Sequence, residues 1–214
     1  MLALFDLDNT LIDRREGLMD WARGFARSRG LPAGAESAIC ERLRERAYPA
    51  DFVHLRVVLG LNDDPGDLWR EYVEGVALSV RCFPGVREGL EALQGAGWSL
   101  GIATNGAGDI QRAKLTVTGL ASFFNGIAVS EEVGVRKPAY EHFEAAAELC
   151  GARLGAGGWM VGDGPETDME GGRVAGLRTA WVANGRRWAE GPREPDVVVR
   201  GVTEAIEVIL AATD

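Results

Sequence analysis

Short apolar runs alternate with stretches of helical periodicity along most of the chain. The runs fall at 2–5, 98–103, 127–129, 159–161, 179–182 and 197–199, each close to Gly, Asp or Asn. Continuous apolarity over so few residues predicts strands buried on both faces, as in a parallel sheet. Between the runs the apolar positions recur with the period of a helix. Pro84-Gly85 opens a segment in which Val86, Leu90 and Leu93 share one face, and Pro138 opens another with Tyr140, Phe143, Ala147 and Cys150 on one stripe. Thr203 is placed to cap a last helix presenting Ile206, Ile209 and Leu210. Strand and helix in alternation predict an α/β sheet with right-handed crossovers.

One segment breaks the alternation. Roughly ninety residues separate the first run from the second, too many for a single crossover. From about 14 to 81 the pattern is helical: Leu18, Trp21, Ala22, Phe25 and Ala26 follow the i, i+3, i+4 rule, with Gly30 and Pro32 as the stop. Asp64 and Pro65 suit an N-cap and first helical position ahead of Leu68, Trp69, Tyr72 and Val76. The stretch 52–59 fits helix and strand alike. The expected organisation is a core of residues 1–13 and 82–214 with a helical cap, 14–81, inserted after the first strand.

Composition removes several classes of function. The 214 residues are 46% hydrophobic and 26% charged, enough for a sizeable core. A net charge of −9 argues against a binder of nucleic-acid backbones. Two histidines (His54, His142) and three scattered cysteines (Cys40, Cys82, Cys150) provide no CxxC pair and no His cluster for zinc, and no disulfide framework. Nothing approaches the ~18 uninterrupted apolar residues of a membrane span. The start meets Asp6 after five residues without a basic region, so a cytoplasmic protein is expected. Lysine is rare, with Lys114 and Lys137 the only two.

The residues with chemistry gather after the apolar runs. The first run leads into Asp6-Leu7-Asp8-Asn9-Thr10, the second into Thr104-Asn105-Gly106, and the fourth into Gly162-Asp163-Gly164-Pro165-Glu166-Thr167-Asp168. The third is followed by a loop carrying Lys137. Each has an ordinary reading alone: Asp, Asn and Thr satisfy turns, and Lys137 is a solvated cation. In a parallel sheet, however, all four loops lie on the edge where such sheets bind ligands.

In this order, Asp6-x-Asp8-x-Thr10, Thr104, Lys137 and Gly162-Asp163-x-x-x-x-Asp168 resemble the haloacid dehalogenase (HAD) superfamily, and the 6–13 and 162–168 segments resemble its small-molecule phosphatases. Cys82-Phe83-Pro84-Gly85-Val86 is similar to that family's return from a helical cap. Gly164, where Ser, Asn or Thr is common, and Tyr140, where Pro often stands, depart from the pattern without removing a charge or a nucleophile.

The resemblance implies a Rossmann-like parallel-sheet core and a magnesium-dependent phosphatase acting through an aspartyl-phosphate. Asp6 would be the nucleophile. Magnesium, a hard ion suited to carboxylate oxygens, would be held by Asp6, Asp163 and the Asp8 backbone carbonyl, with Asp168 in support. Lys137 would neutralise Asp6 and a phosphate oxygen. Thr104, and the adjacent backbone N–H at Asn105, would donate to the phosphoryl oxygens. Asp8 would be the general acid and then base, which asks for Asp6 ionised and Asp8 protonated. Thr10 and Asp13 would order the loop.

Asp8, Asp163 and Asp168 together favour a phosphatase over a dehalogenase, since departing halide needs neither acid nor metal. The lysine-free segment 14–81 closes the Schiff-base route of phosphonate-cleaving relatives. A phosphomutase of the same family and a non-catalytic binding protein remain as alternatives. The expected partner is a small phosphorylated metabolite, with neither nucleic acid nor membrane, and the chain a monomer or homodimer. Arg14, Arg15, Arg56 and His54 are candidate cap contacts or solvated surface. Phe52, Trp21 and Trp69 read as cap core, and Trp181, Arg186, Arg187 and Trp188 as a loop over the core.

Overall fold

The computed structural model describes residues 1–189 and 193–212. Six parallel strands form one sheet: β1 (Leu2–Phe5), β2 (Ser99–Thr104), β3 (Gly126–Val129), β4 (Trp159–Gly162), β5 (Arg178–Val182) and β6 (Val197–Val199). The expected strands are all present, with ends within a residue of the apolar runs. Their order is β3-β2-β1-β4-β5-β6. The chain therefore steps outward from β1 in one direction through β2 and β3, then returns to build β4, β5 and β6 on the other side. The crevice at such a reversal is where open α/β sheets accept ligands.

Helices α1 (Arg14–Ser28), α2 (Ala35–Leu43), α3 (Pro49–Val58) and α4 (Pro65–Ser79) lie between β1 and β2, followed by α5 (Val86–Gly95). Next come α6 (Gly108–Val117), α7 (Ser130–Val133), α8 (Tyr140–Leu149), α9 (Gly171–Val174) and α10 (Val202–Ala211). The strands alternate their side chains between two apolar layers, as a period of two dictates. Ala3, Phe5, Ile102 and Val161 join the layer that holds α5 and α10, and Leu2, Leu4, Ala103 and Met160 join the layer that holds α8. No helix among the described residues is long and apolar enough to cross a membrane.

Two local expectations are corrected and one open reading is resolved. The last helix begins at Val202 with Gly201 at its N-cap, so Thr203 lies inside the first turn and caps nothing. The ambiguous 52–59 stretch is helical, with Phe52 and Leu55 buried one turn apart. In α8 the helix begins at Tyr140 with Ala139 at the N-cap, and Tyr140 is exposed. Phe143 and Ala147 are buried as expected, His142 and Ala146 join them, and Cys150 is half-buried at the C-cap.

His142 is fully buried, with Nδ1 2.9 Å from the Val135 carbonyl. A carbonyl only accepts, so Nδ1 carries the hydrogen of a neutral ring. Burial holds its pKa down to about 4, against 6.5 ordinarily. A depressed histidine contributes stability that is complete above the unfolded value and lost as pH falls toward the folded one. Unfolding free energy is expected to drop by about 2 kcal/mol from this group between pH 7.5 and pH 5. Denaturant melts of wild type and His142→Leu at both pH values check this: the variant's pH slope should be shallower by that amount.

The four inserted helices close around their own aromatic core. Trp21 packs edge-on against Tyr72, Phe52 against Trp69, and Trp69 stacks on Tyr72, with centroids 5.0–5.6 Å apart. Such pairs contribute about 0.5–1.5 kcal/mol each beyond their burial. Asp13 and Asp64 cap α1 and α4 by accepting from the Glu16 and Gly66 amides at 2.9 and 2.8 Å. The two ends of the insertion lie side by side, with the Asp13 amide donating to the Arg81 carbonyl and Phe83 to that of Leu11. Across its base, the Trp69 indole donates to Asp109 of α6 at 2.6 Å.

Candidate active site

The loop after β1 is fixed by its own backbone. The Leu7 carbonyl accepts from the Leu11 and Ile12 amides at 3.0 and 3.2 Å, while the buried Leu7, Leu11 and Ile12 side chains anchor the turn from below. Asn9 takes a left-handed conformation (φ 58°), which Asn tolerates better than most residues. Its carbonyl accepts from the Asn184 side chain at 2.6 Å. Asp6 is tied to β4 by its amide on the Val161 carbonyl at 2.9 Å. After β4, Asp163 leads into a π-helical turn, Pro165–Glu170, that carries Asp168 back over the strand end. The Gly164 amide donates to Asp168 Oδ2 at 2.8 Å. A Cβ at Gly162 would collide with that carboxylate, so glycine is required there.

Asp6, Asp163 and Asp168 converge, each with a carboxylate oxygen within 4.8 Å of the others. The buried Lys137 bridges two of them, donating to Asp6 Oδ1 at 2.7 Å and Asp168 Oδ1 at 2.6 Å. The backbone of Lys137 is held by Asn105, whose amide accepts from its N–H at 2.9 Å and donates to its carbonyl at 3.1 Å. Thr104 Oγ1 accepts from Gln111 Nε2 at 2.7 Å, which leaves its own hydrogen free to donate. Thr10 reaches Asp6 Oδ2 only at 3.5 Å. These residues open on a cavity of about 1190 Å³ between the sheet edge and the inserted helices, lined there by Arg14, Arg15, Leu18, Met19 and the 44–46 segment.

Negative charge exceeds positive at the three carboxylates. Burial, opposed by Lys137 and reinforced by Asp168 and Asp163, pushes Asp6 up to about 8. Burial and the Asp168 charge push Asp163 up to about 6, although the Arg186 guanidinium opposes this at 3.1 Å. Lys137 is held charged: burial works against it, but Asp168 and Asp6 outweigh burial and raise it. An all-oxygen donor set with uncompensated negative charge fits a hard divalent cation. Asp6, Asp163 and Asp168 are the side chains that would hold one.

Asp8 is placed differently from the other carboxylates. Its oxygens accept from Lys114 Nζ at 2.8 and 2.9 Å, and Arg14 Nε lies 3.7 Å away. Burial raises Asp8, yet Lys114 and Arg14 together hold it below the ordinary carboxylate range. The sequence reading expects Asp6 ionised and Asp8 protonated. The protein's own groups favour the opposite split, because Asp8 has two cations to itself while Asp6 shares one. The Asp8 side chain is thus no partner of the metal-fitting cluster, leaving its backbone carbonyl as the only ligand it offers. The Asn105 side chain has both ends of its amide engaged on Lys137, while the residue, whose backbone N–H is the donor expected at the phosphoryl oxygens, lines the cavity.

Reading the sequence alone missed three residues. Lys114 and Gln111, both buried on α6, form a chain with Lys114 donating to Gln111 Oε1 at 2.7 Å. Thr104, Gln111, Lys114, Asp8 and Arg14 are therefore one continuous polar network. The signal available was the scarcity of lysine and the i, i+3 spacing after Thr104. Arg186, assigned to a covering loop, instead donates to the Asp163 carbonyl at 2.7 Å as well as to its carboxylate, and sits over Trp181. Arg14 and Arg15 line the cavity, whereas Arg56 and His54 are exposed on α3 and do not.

The crevice at the sheet reversal thus holds a carboxylate at the end of β1 with a lysine bound to it. A family model for haloacid dehalogenase-like hydrolases matches residues 3–182, and the chain belongs to that family. It is 39% identical over 132 residues to the pyrimidine 5'-nucleotidase YjjG of Escherichia coli, a match covering 61% of this chain and 58% of that protein. The chain thus spans little more than half of that relative. It is 29% identical over 210 residues to a glyceraldehyde 3-phosphate phosphatase of Methanopyrus kandleri, covering 92% and 89% of the two chains. Among solved structures, a HAD phosphatase from Thermococcus onnurineus superposes with a TM-score of 0.69 at 25% identity, over 97% of this chain and 96% of that one.

Proposed function

We propose that the protein is a magnesium-dependent phosphatase that hydrolyses a small phosphate monoester through an aspartyl-phosphate on Asp6. The observation that carries this reading is the union of Lys137, Asp6 and Asp168 beside Asp163 in the lining of a cavity under the inserted helices. The phosphatase and nucleotidase names of the relatives agree with it. Magnesium, when bound, supplies positive charge that lets an ionised Asp6 approach a phosphate.

The chain's own residues do the rest. Lys137 occupies Asp6 Oδ1, leaving Oδ2 as the oxygen that attacks phosphorus. Thr104, with its acceptor side already satisfied by Gln111, donates its hydroxyl to a phosphoryl oxygen. The P–O bond to the leaving group breaks, and the leaving oxygen takes a proton from Asp8, which the ionised Asp8 first has to gain, as from a monoanionic phosphate ester. In the second half, Asp8 accepts a proton from the water that attacks the phosphoaspartate, the role for which Lys114 and Arg14 already hold it ionised. The inserted helices exclude other water and restrict access to small molecules.

Phosphate release from a panel of small monoesters, with magnesium and with chelator, tests the reading. Release is expected only with the metal. The melting temperature should also rise on adding magnesium, and rise less in Asp163→Asn, by binding to the folded state alone. Stable phosphorylation of Asp6 without phosphate release would replace the phosphatase with a phosphomutase.

A further inference from the structure

Building on the phosphatase reading, we propose that the substrate carries a second anionic group on its leaving side, a carboxylate or another phosphate, received by Arg15, Arg44 and Arg46. The cavity wall facing the carboxylates comes from α1, α2 and the segment after α2. Arg14 fixes that segment, donating to the Leu43 and Arg44 carbonyls at 2.6 Å each. Residues 44–46 are thereby held at the cavity mouth.

The other cations of the lining have partners: Lys137 the two aspartates, Arg186 Asp163, Arg14 Asp8, and Arg136 the Tyr48 hydroxyl. The guanidinium groups of Arg15, Arg44 and Arg46 make no hydrogen bond or ion pair among the described residues, although the charge of Arg15 acts on Asp163 at longer range. Set against them in the lining are Glu45 and Glu166 alone, once the paired aspartates are accounted for. Unpaired positive charge at this one mouth runs against the −9 of the whole chain. A cleft of that kind draws anions by focusing the field.

The remaining wall chemistry points the same way. Among the described residues no Phe, Tyr or Trp lines the cavity, so a nucleobase finds no ring to stack on there. The rings of the inserted helices are turned onto one another. Leu18, Met19 and Cys40 are the uncharged residues these helices contribute, and they supply no hydroxyl or amide to hold a neutral sugar. Charge is the recognition chemistry on offer.

Matched pairs test this: phosphoglycolate against ethyl phosphate, and fructose 1,6-bisphosphate against fructose 6-phosphate, with uridine 5'-monophosphate as the nucleobase arm. The doubly anionic member of at least one pair is expected to have kcat/KM higher by about tenfold, the scale of several exposed charge contacts together. That ratio should fall toward one in Arg15→Gln/Arg44→Gln/Arg46→Gln, chiefly through KM, and shrink with added salt. Preference in the first pair alone assigns a carboxylate, and in the second alone a phosphate. The melting temperature of the triple variant and the single Arg15→Gln separate lost recognition from lost folding. Equal rates within both pairs, a ratio the substitutions leave untouched, or preference for the nucleotide would overturn the proposal while the phosphatase reading stands. No release from any ester would overturn both.

Discussion

An Asp6→Asn protein is expected to fold normally and release phosphate on the order of 10⁴-fold more slowly than wild type, or not at all. The amide is isosteric with the carboxylate but has no charge to offer phosphorus, and no other carboxylate lies on the loop in its place. Asp8 is turned away to Lys114 and Arg14. Asp163 and Asp168 belong to another loop and are engaged by Arg186 and Lys137.

The folding half of this prediction follows from electrostatics. Burial and the neighbouring aspartates disfavour charge on Asp6, so a neutral residue there relieves repulsion. Lys137 keeps its 2.6 Å bond to Asp168 in the variant. In chelator, the melting temperature of Asp6→Asn should therefore equal or exceed that of wild type, whereas the rise caused by magnesium should be smaller. Release at the wild-type rate would remove Asp6 from the chemistry. A collapse in melting temperature would instead show that the ion pair with Lys137 outweighs the repulsion.

The sheet was legible in the sequence because parallel strands buried on both faces are short and continuously apolar, and here Gly, Asp and Asn punctuate them. Asp6 and Asp163 were legible because each stands just beyond such a run, and Lys137 and Asp168 because each lies in the connection that follows one. What the sequence hides is side-chain direction. Nothing in Asp6-Leu7-Asp8 says that the two carboxylates face different cations, or that Asn105 closes on Lys137 32 residues away. Lys114 is 106 residues from Asp8. A helical lysine at that distance reads as surface until the fold buries it. Arg186 is a similar case, since its place on Asp163 depends on how the loop after β5 folds back.

Lys114→Met is expected to slow hydrolysis of alkyl phosphates by about 10²-fold and that of p-nitrophenyl phosphate much less. Lys114 holds both oxygens of Asp8 and, through Gln111, the Thr104 hydroxyl, so it fixes the proton carrier and a phosphoryl donor together. An alkoxide leaves poorly without a proton, while nitrophenolate needs little help, so misplacing Asp8 penalises the first substrate selectively. A merely structural lysine would slow both equally. The same change strands a mostly buried carboxylate, with Arg14 at 3.7 Å the one cation left beside it among the described residues, and should cost about 3 kcal/mol of stability. Asp8→Asn/Lys114→Met removes both charges and should recover most of that loss without recovering alkyl phosphate turnover. Lys114→Arg, which keeps a donor in place, should restore part of the turnover. If Lys114→Met lowered both rates in parallel and Lys114→Arg behaved no better, Lys114 would be a packing residue whose ion pair has no part in proton delivery. A selective loss would make the buried α6 network, from Thr104 through to Arg14, the means by which the inserted helices set the position of the acid over the sheet edge.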